Sequence, residues 1–205
     1  MNGNLIHIEP SSRCTLRCIQ CPRTQHLSDI AVGDLSIDLI DRACTGYDNI
    51  LLCGNHGDPI YHRQFHELIQ RLVTNHSHAR IDLVTNGSGR SPAWWHTTTR
   101  LLRWSDCITF SIDGMPWDNH VYRVNSKWRS IEGAIKAIRK ARPYIWLQWK
   151  WILFSYNEHE IKQGMQLAKD LGFNKFQVVG SSRYADGDWL TPTRRLDDIR
   201  EDFTS

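Results

Sequence analysis

No apolar run in these 205 residues approaches the ~20 that a membrane-spanning helix needs. The opening MNGNLIHIEP has neither the basic start nor the apolar stretch of a secretory signal, so a cytoplasmic, non-membrane protein is expected. No repeat, low-complexity tract or Pro/Gly/Ser-rich linker divides the chain, which fits one domain of ordinary size. Cysteine is sparse and unevenly placed. Of six, three crowd into residues 14–21, three are scattered at Cys44, Cys53 and Cys107, and none follows. That distribution argues against a disulfide framework and for a metal site in a reducing compartment. Acidic residues are scarce in one stretch: residues 90–150 carry eleven Lys and Arg against four Asp and Glu, although the formal net charge is only +3. Such asymmetry suits an anionic partner on one side, while most of these charges are expected to solvate helix faces.

What is present begins with CTLRCIQC, where Cys14, Cys18 and Cys21 stand at spacing C-x3-C-x2-C after a short apolar run. Three thiolates within eight residues can wrap one metal centre, and soft sulfur selects iron-sulfur, zinc or cuprous copper over hard cations. Purely electron-carrying clusters and structural zinc sites are closed by four ligands. Three leave one corner open for a substrate or cosubstrate. The alternatives are a zinc loop completed by His26 or another cysteine, an electron carrier with a fourth ligand, and a zinc-stabilised nucleic-acid-binding module using the basic, aromatic-rich 90–150 region.

Along the chain, short apolar runs alternate with longer amphipathic ones. Residues 5–8, 49–54, 79–87, 107–113, 144–154 and 175–180 read as strands, and residues 36–44, 65–73, about 93–104, 131–141 and 159–173 as helices. Strands and helices alternating at intervals near 30 residues indicate βαβ units and a parallel sheet. A closed eight-unit barrel takes about 250 residues, and this chain has room for six. The expected architecture is therefore a partial (βα)6 TIM-like barrel, open on one side, over residues 1–183, with residues 184–205 as a tail or short closing helix. Its site should lie at the carboxyl ends of the strands. In the fifth strand, alternation puts Ile145, Leu147, Trp149, Trp151 and Leu153 on one face and Trp146, Gln148, Lys150 and Ile152 on the other. Polar groups are costly to bury without partners, so Gln148 and Lys150 are placed towards the lumen as substrate residues, with Lys150 meeting a carboxylate or phosphate.

The cysteine spacing, followed by Pro22, resembles the signature of the radical S-adenosylmethionine (radical SAM) superfamily. In that family three cysteines hold a 4Fe-4S cluster whose fourth iron chelates the amino and carboxylate groups of SAM. The strand ends add to the likeness. GNHGDP (54–59) is similar to the family's Gly-Gly-Glu-Pro segment, which implies SAM amine binding by Gly54, Asn55, Gly57 and Asp58, with Asn55 and His56 departing from the pattern. Thr85, Asn86 and Gly87 resemble the family's Thr-Asn-Gly. Ser111, Ile112 and Asp113 resemble its Ser-hydrophobic-Asp, and Arg123 matches an arginine used against the SAM carboxylate. Asn157, Val179 and Gly180 fall where members contact adenosine, and Ile19 stands where an aromatic is common.

The resemblance covers residues 5–180 and implies an enzyme. Its catalytic and metal-binding cysteines are Cys14, Cys18 and Cys21; it cleaves SAM reductively to a 5′-deoxyadenosyl radical that abstracts hydrogen from an unidentified substrate, for which the basic region and Lys150 lead to the expectation of an anionic group. It also implies a reductant protein such as flavodoxin or ferredoxin. With no cysteine after Cys107, the chain is expected to be a small single-domain member without an auxiliary cluster.

Overall fold

The structure, a computed structural model, describes residues 3–184 and 187–201. Six strands, β1 (Leu5–Ile8), β2 (Asn49–Leu52), β3 (Arg80–Thr85), β4 (Cys107–Ser111), β5 (Trp146–Ile152) and β6 (Lys175–Val179), pair in parallel in the order of the chain. Eight α-helices are described: α1 (Pro22–Gln25), α2 (Ile37–Ala43), α3 (Phe65–Asn75), α4 (Pro92–Leu101), α5 (Asn119–Tyr122), α6 (Trp128–Ala141), α7 (Ile161–Asp170) and α8 (Leu196–Glu201). β1 and β6 are the two edges and do not pair with each other, so the sheet is an open, partial TIM-like barrel. Of the expected 184–205 segment, residues 185–186 and 202–205 lie outside the described residues.

The helices sit where the periodicity places them, and local chemistry explains their ends. Ser36 and Ser91 cap α2 and α4 by accepting from Leu39 N and Trp94 N, and Pro92 occupies the first turn of α4, where its missing N–H costs nothing. In α6, Ile131, Ala134, Ile135 and Ile138 recur at helical spacing, and all four are buried. They face the outer side of the sheet, where Ile50, Leu52, Ile81, Leu83, Phe110, Leu147, Trp149 and Trp151 are fully buried. Trp149 lies against Trp128, Trp151, Phe173 and Phe176 at ring separations of 5.4–5.9 Å, and its Nε1 donates to Ile112 O at 2.9 Å. Truncating a tryptophan packed this way costs about 3–5 kcal/mol. Where α7 crosses Trp151 only glycine fits, since a Cβ on Gly164 would stand 2.8 Å from the indole.

The lumen side of the same strands is different. Thr109, Ser111, Gln148, Lys150 and Gln177 alternate with the core positions, and Gln148 Nε2 donates to Gln177 Oε1 at 2.5 Å, satisfying two polar side chains that would otherwise be costly to cover. This polar lumen leads up to the strand ends. Beyond β6 the chain turns back across the open side. Leu190 is fully buried against Tyr122 and Phe154, Tyr184 donates its hydroxyl to Leu153 O, and Glu158 accepts from Thr193 N and Arg194 N ahead of α8.

Candidate active site

The cysteine loop follows β1 and is fastened on both sides. Arg17 N and Ile19 N donate to Val124 O (3.0 Å) and Tyr122 O (3.3 Å), and Asp58 N donates to Arg13 O at 2.8 Å. From below, Arg23 reaches back from α1, donating to Ser12 O at 3.0 Å and Leu16 O at 3.3 Å. These bonds turn Cys14, Cys18 and Cys21 into one cavity of about 300 Å³. Its remaining wall comes from the ends of β2 to β6.

After β2, GNHGDP makes a turn so tight that its glycines are obligatory. A Cβ on Gly54 would lie 2.5 Å from Gly57 O, and one on Gly57 would lie 2.0 Å from Ser11 O, both rigid backbone. Gly54, Asn55, Gly57 and Asp58 all line the cavity. Asp58 does so with both oxygens already engaged: Oδ1 accepts from Ile60 N at 3.2 Å, and Oδ2 from Thr85 Oγ1 at 3.0 Å, Asn86 N at 2.7 Å and Asn86 Nδ2 at 2.5 Å. Burial nevertheless pushes its pKa up to about 6. The carboxylate thus holds the Thr85–Asn86 turn in place, and Asn86 Nδ2 also approaches Cys14 Sγ at 3.6 Å.

The fourth strand contributes Ser111 directly. Asp113, two residues on, is fully buried and sits behind the wall, where Oδ1 accepts from Ile152 N at 2.8 Å. Its Oδ2 stands 2.7 Å from Arg123 Nε, at an angle outside hydrogen-bond geometry, so the two form an ion pair without a directed bond. Arg123 itself lines the cavity. Asn157 is fully buried too. Its Nδ2 donates to Asp113 O (2.8 Å) and Ile152 O (3.0 Å) while its Oδ1 accepts from Phe154 N, locking the end of β4 to the end of β5. Asp113, Asn157 and Gln148 are therefore not among the cavity-lining residues; Lys150 and Val179 are.

The cavity also takes residues that sequence reasoning did not assign: Cys53, Val84, Tyr122 and the run Ser181 to Arg183. The strand-end rule that found the others covers Cys53 and, extended past Gly180, would have reached Arg183. Its Nη2 donates to Asn55 Oδ1 at 3.1 Å and its Nη1 to Gln20 O at 3.4 Å, so it bridges the sixth strand end to the loops after β1 and β2 across the open side. Cys44 and Cys107 are buried elsewhere. His26 does not line the cavity; its ring faces Asp29, 3.9 Å away.

Burial pushes the Cys14 thiol up to about 12 and the Cys18 thiol up to about 11. Both are protonated at neutral pH unless a bound cation displaces the proton. Among the described residues no three His, Cys, Asp or Glu side chains already stand in a coordinating group. The donor chemistry nonetheless fits an iron-sulfur centre: three soft sulfurs on one loop open to one cavity, and Leu16 N (3.4 Å) and Asn86 Nδ2 approach Cys14 Sγ as donors that favour its thiolate form.

The loop carrying Asp113 has its own titrating latch. Asp118 Oδ1 accepts from Met115 N at 2.6 Å, and buried Glu160 takes Trp117 Nε1 on Oε1 at 2.8 Å, leaving Glu160 Oε2 without a partner among the described residues. Burial and the facing Glu160 carboxylate push Asp118 up to about 7 from its ordinary 3.8. From pH 4 to 7 the folded chain then keeps a proton that the unfolded chain has lost, so this contribution to stability falls as pH rises and is gone above about 7. The Tm of the wild type is expected to drop more between pH 5 and pH 8 than that of Asp118→Asn. Equal drops would remove the Asp118 proton from the account.

No protein-family model matches the chain, and no curated protein matches it in sequence. Solved structures do. Streptococcus suis SuiB superposes with a TM-score of 0.76 at 12% identity, over 98% of this chain and 45% of SuiB; SuiB bound to S-adenosylmethionine gives 0.74. The enzyme anSMEcpe with bound AdoMet and the Kp18Cys peptide gives 0.71 at 16% identity, over 93% of this chain and 55% of that one. SuiB and anSMEcpe are radical SAM enzymes. The chain has the radical SAM fold. It spans about half the length of the solved structures it matches, and at these identities the likeness is one of fold. Within the radical SAM fold, the cavity occupies the carboxyl ends of the strands, where α/β folds of this kind place their ligands. No helix among the described residues is long and apolar enough to cross a membrane.

Proposed function

We propose that the protein is a radical SAM enzyme in which Cys14, Cys18 and Cys21 hold a 4Fe-4S cluster and the adjoining cavity binds S-adenosylmethionine. The carrying observation is that three cysteines from one loop line the same cavity as residues from the ends of β2 to β6. When bound, the reduced cluster and SAM together supply a 5′-deoxyadenosyl radical that abstracts hydrogen from substrate.

The chain's own residues do the positioning. Gly54 and Gly57 let backbone carbonyls approach the ligand closely, Asn55, Asn86 and Ser111 offer neutral hydrogen-bonding groups, and Arg123 presents a guanidinium whose charge acts on Cys18. Arg123 is held in place by Asp113, which Ile152 N anchors in turn, and Asn157 and Tyr156 fix the Asp113 carbonyl. Val179 closes the side facing β6, and the Arg183 bridge narrows the open edge to water. An external one-electron donor protein of the flavodoxin or ferredoxin class completes the system.

Anaerobic reconstitution with iron and sulfide tests the reading. The expected product is a brown protein whose reduced-state EPR signal changes on adding SAM, and which slowly releases 5′-deoxyadenosine with dithionite even without substrate. A loaded cluster that never cleaves SAM would exclude the enzyme reading; an EPR signal indifferent to SAM would indicate an electron carrier, and a colourless zinc protein a structural site.

A further inference from the structure

We propose that Lys150 and Arg183 form an anion-binding pair in this cavity and take a carboxylate or phosphate group of the substrate. The inference rests on the radical SAM reading for the role of the cavity, and deepens it by naming the substrate class.

The argument is one of charge. Of the carboxylates at the cavity, Asp58 accepts four hydrogen bonds within the fold, and Asp113 faces Arg123 and Ile152 N. Neither is free to answer another cation. Lys150 projects from the lumen face of β5 between Ser111 on β4 and Gln177 on β6, both neutral, and among the described residues its ammonium makes no hydrogen bond or ion pair. The titratable groups that feel its charge are the Cys53 thiol and Asp113, whose own charge Arg123 already balances. Arg183 reaches the same cavity from beyond β6, and the two hydrogen-bond acceptors it has among the described residues, Asn55 Oδ1 and Gln20 O, are uncharged. Its connections to carboxylates run through neutral amides, Asn55 with its Nδ2 bound to Glu9 and Gln20 with its Nε2 bound to Asp188. Two cations in one partly covered cavity that pair with no carboxylate among the described residues repel each other and are stable together only with an anion or much water between them. A guanidinium fork beside an ammonium is the arrangement that grips a carboxylate or phosphate oxygen pair.

Gln148, expected from its alternation to share this task, is instead bonded to Gln177 lower in the lumen. Arg183 takes its place. Arg123, largely buried and paired with Asp113, is left for the cofactor.

The test is equilibrium dialysis of the reconstituted, SAM-loaded protein against radiolabelled inorganic phosphate and, separately, radiolabelled glutarate in low-salt, chloride-free buffer. One probe is expected to bind at one per chain, phosphate reporting a phosphoryl group and glutarate a carboxylate. Lys150→Met and Arg183→Gln should each weaken that binding at least tenfold; in Lys150→Met iron content, SAM affinity and Tm stay at wild-type levels, whereas Arg183→Gln also loses the bonds to Asn55 and Gln20 and is read on anion binding alone. Binding of neither probe to a protein that does hold SAM overturns the inference, as does binding at the wild-type level in both variants. Loss of SAM affinity in Lys150→Met also overturns it, because the cation then serves the cofactor. If iron and SAM fail to load while a probe still binds in the variant-dependent way, the anion site stands and the radical SAM reading is what fails.

Discussion

Cys14→Ala, Cys18→Ala and Cys21→Ala should each lose nearly all bound iron after anaerobic reconstitution, while Cys44→Ala keeps it. The three thiols line one cavity from one loop, whereas Cys44 is fully buried in the packing of α2. Removing one of three protein ligands leaves the cluster held at two corners, and hydrogen bonds to the remaining sulfurs cannot replace a metal-sulfur bond. Cys53→Ala is the sharper control, because Cys53 lines the same cavity but comes from the end of β2. Retained iron in Cys53→Ala leaves three thiolates and an open corner, as the enzyme reading requires. Iron lost from Cys53→Ala as completely as from the other three would mean a fourth thiolate and an electron carrier. Iron and sulfide analysis with EPR distinguishes these outcomes, and equal iron in every variant would defeat the ligand assignment altogether.

Asp113→Ala should destabilise the protein by about 3–5 kcal/mol, the scale for breaking one side of a buried ion pair. Arg123 is 11% exposed in its side chain, Asp113 is wholly buried, and among the described residues Asp113 is the one carboxylate that Arg123 pairs with, Asp58 feeling its charge only at a distance. The same change removes the acceptor for Ile152 N, loosening the end of β5 just beyond Lys150. Urea unfolding measures the loss directly. A double variant, Asp113→Asn with Arg123→Met, keeps an acceptor for Ile152 N and removes the stranded cation, so it should recover most of the lost stability. A loss below about 1 kcal/mol in Asp113→Ala, or no recovery in the double variant, would show that the pair does not carry this region.

The two experiments probe different links of the same chain of causes. Ligand cysteines act on the metal through bonds they make themselves. Asp113 acts through Arg123 and through the strand ends it joins, so its effect on the site is expected as a stability change before it is seen in chemistry. SAM affinity in the double variant would then isolate what the Arg123 guanidinium contributes once folding has been restored.

Much of the architecture was legible in the chain because its signals are local. Strand runs of four to seven residues and helical apolar spacing of the kind seen at Ile131, Ala134, Ile135 and Ile138 reflect neighbours along one element, and the parallel sheet with its strand-end site follows from their alternation. The faces of β5 were separable for the same reason: a period of two puts Trp149 and Trp151 on one face and Lys150 on the other, and packing of the tryptophans against the helices decides which face is the lumen. The clustering of Cys14, Cys18 and Cys21 likewise needs only one loop.

Where residues distant in sequence must meet, only the tertiary structure decided. Asp113 and Asn157 sit at strand ends as expected, but pairing with Arg123 and with neighbouring backbone groups draws both behind the cavity wall, since a buried polar group takes the nearest partner that satisfies it. Gln148 is diverted to Gln177 by the register of β5 against β6, a property of two strands and not of either alone. Arg183 enters the site because the segment after β6 crosses the open side and meets Gln20 and Asn55, 163 and 128 residues earlier in the chain. Local sequence determines which residues share a face of each strand; the meeting of charges across strands depends on register, closure and burial, and these exist only once the sheet has formed.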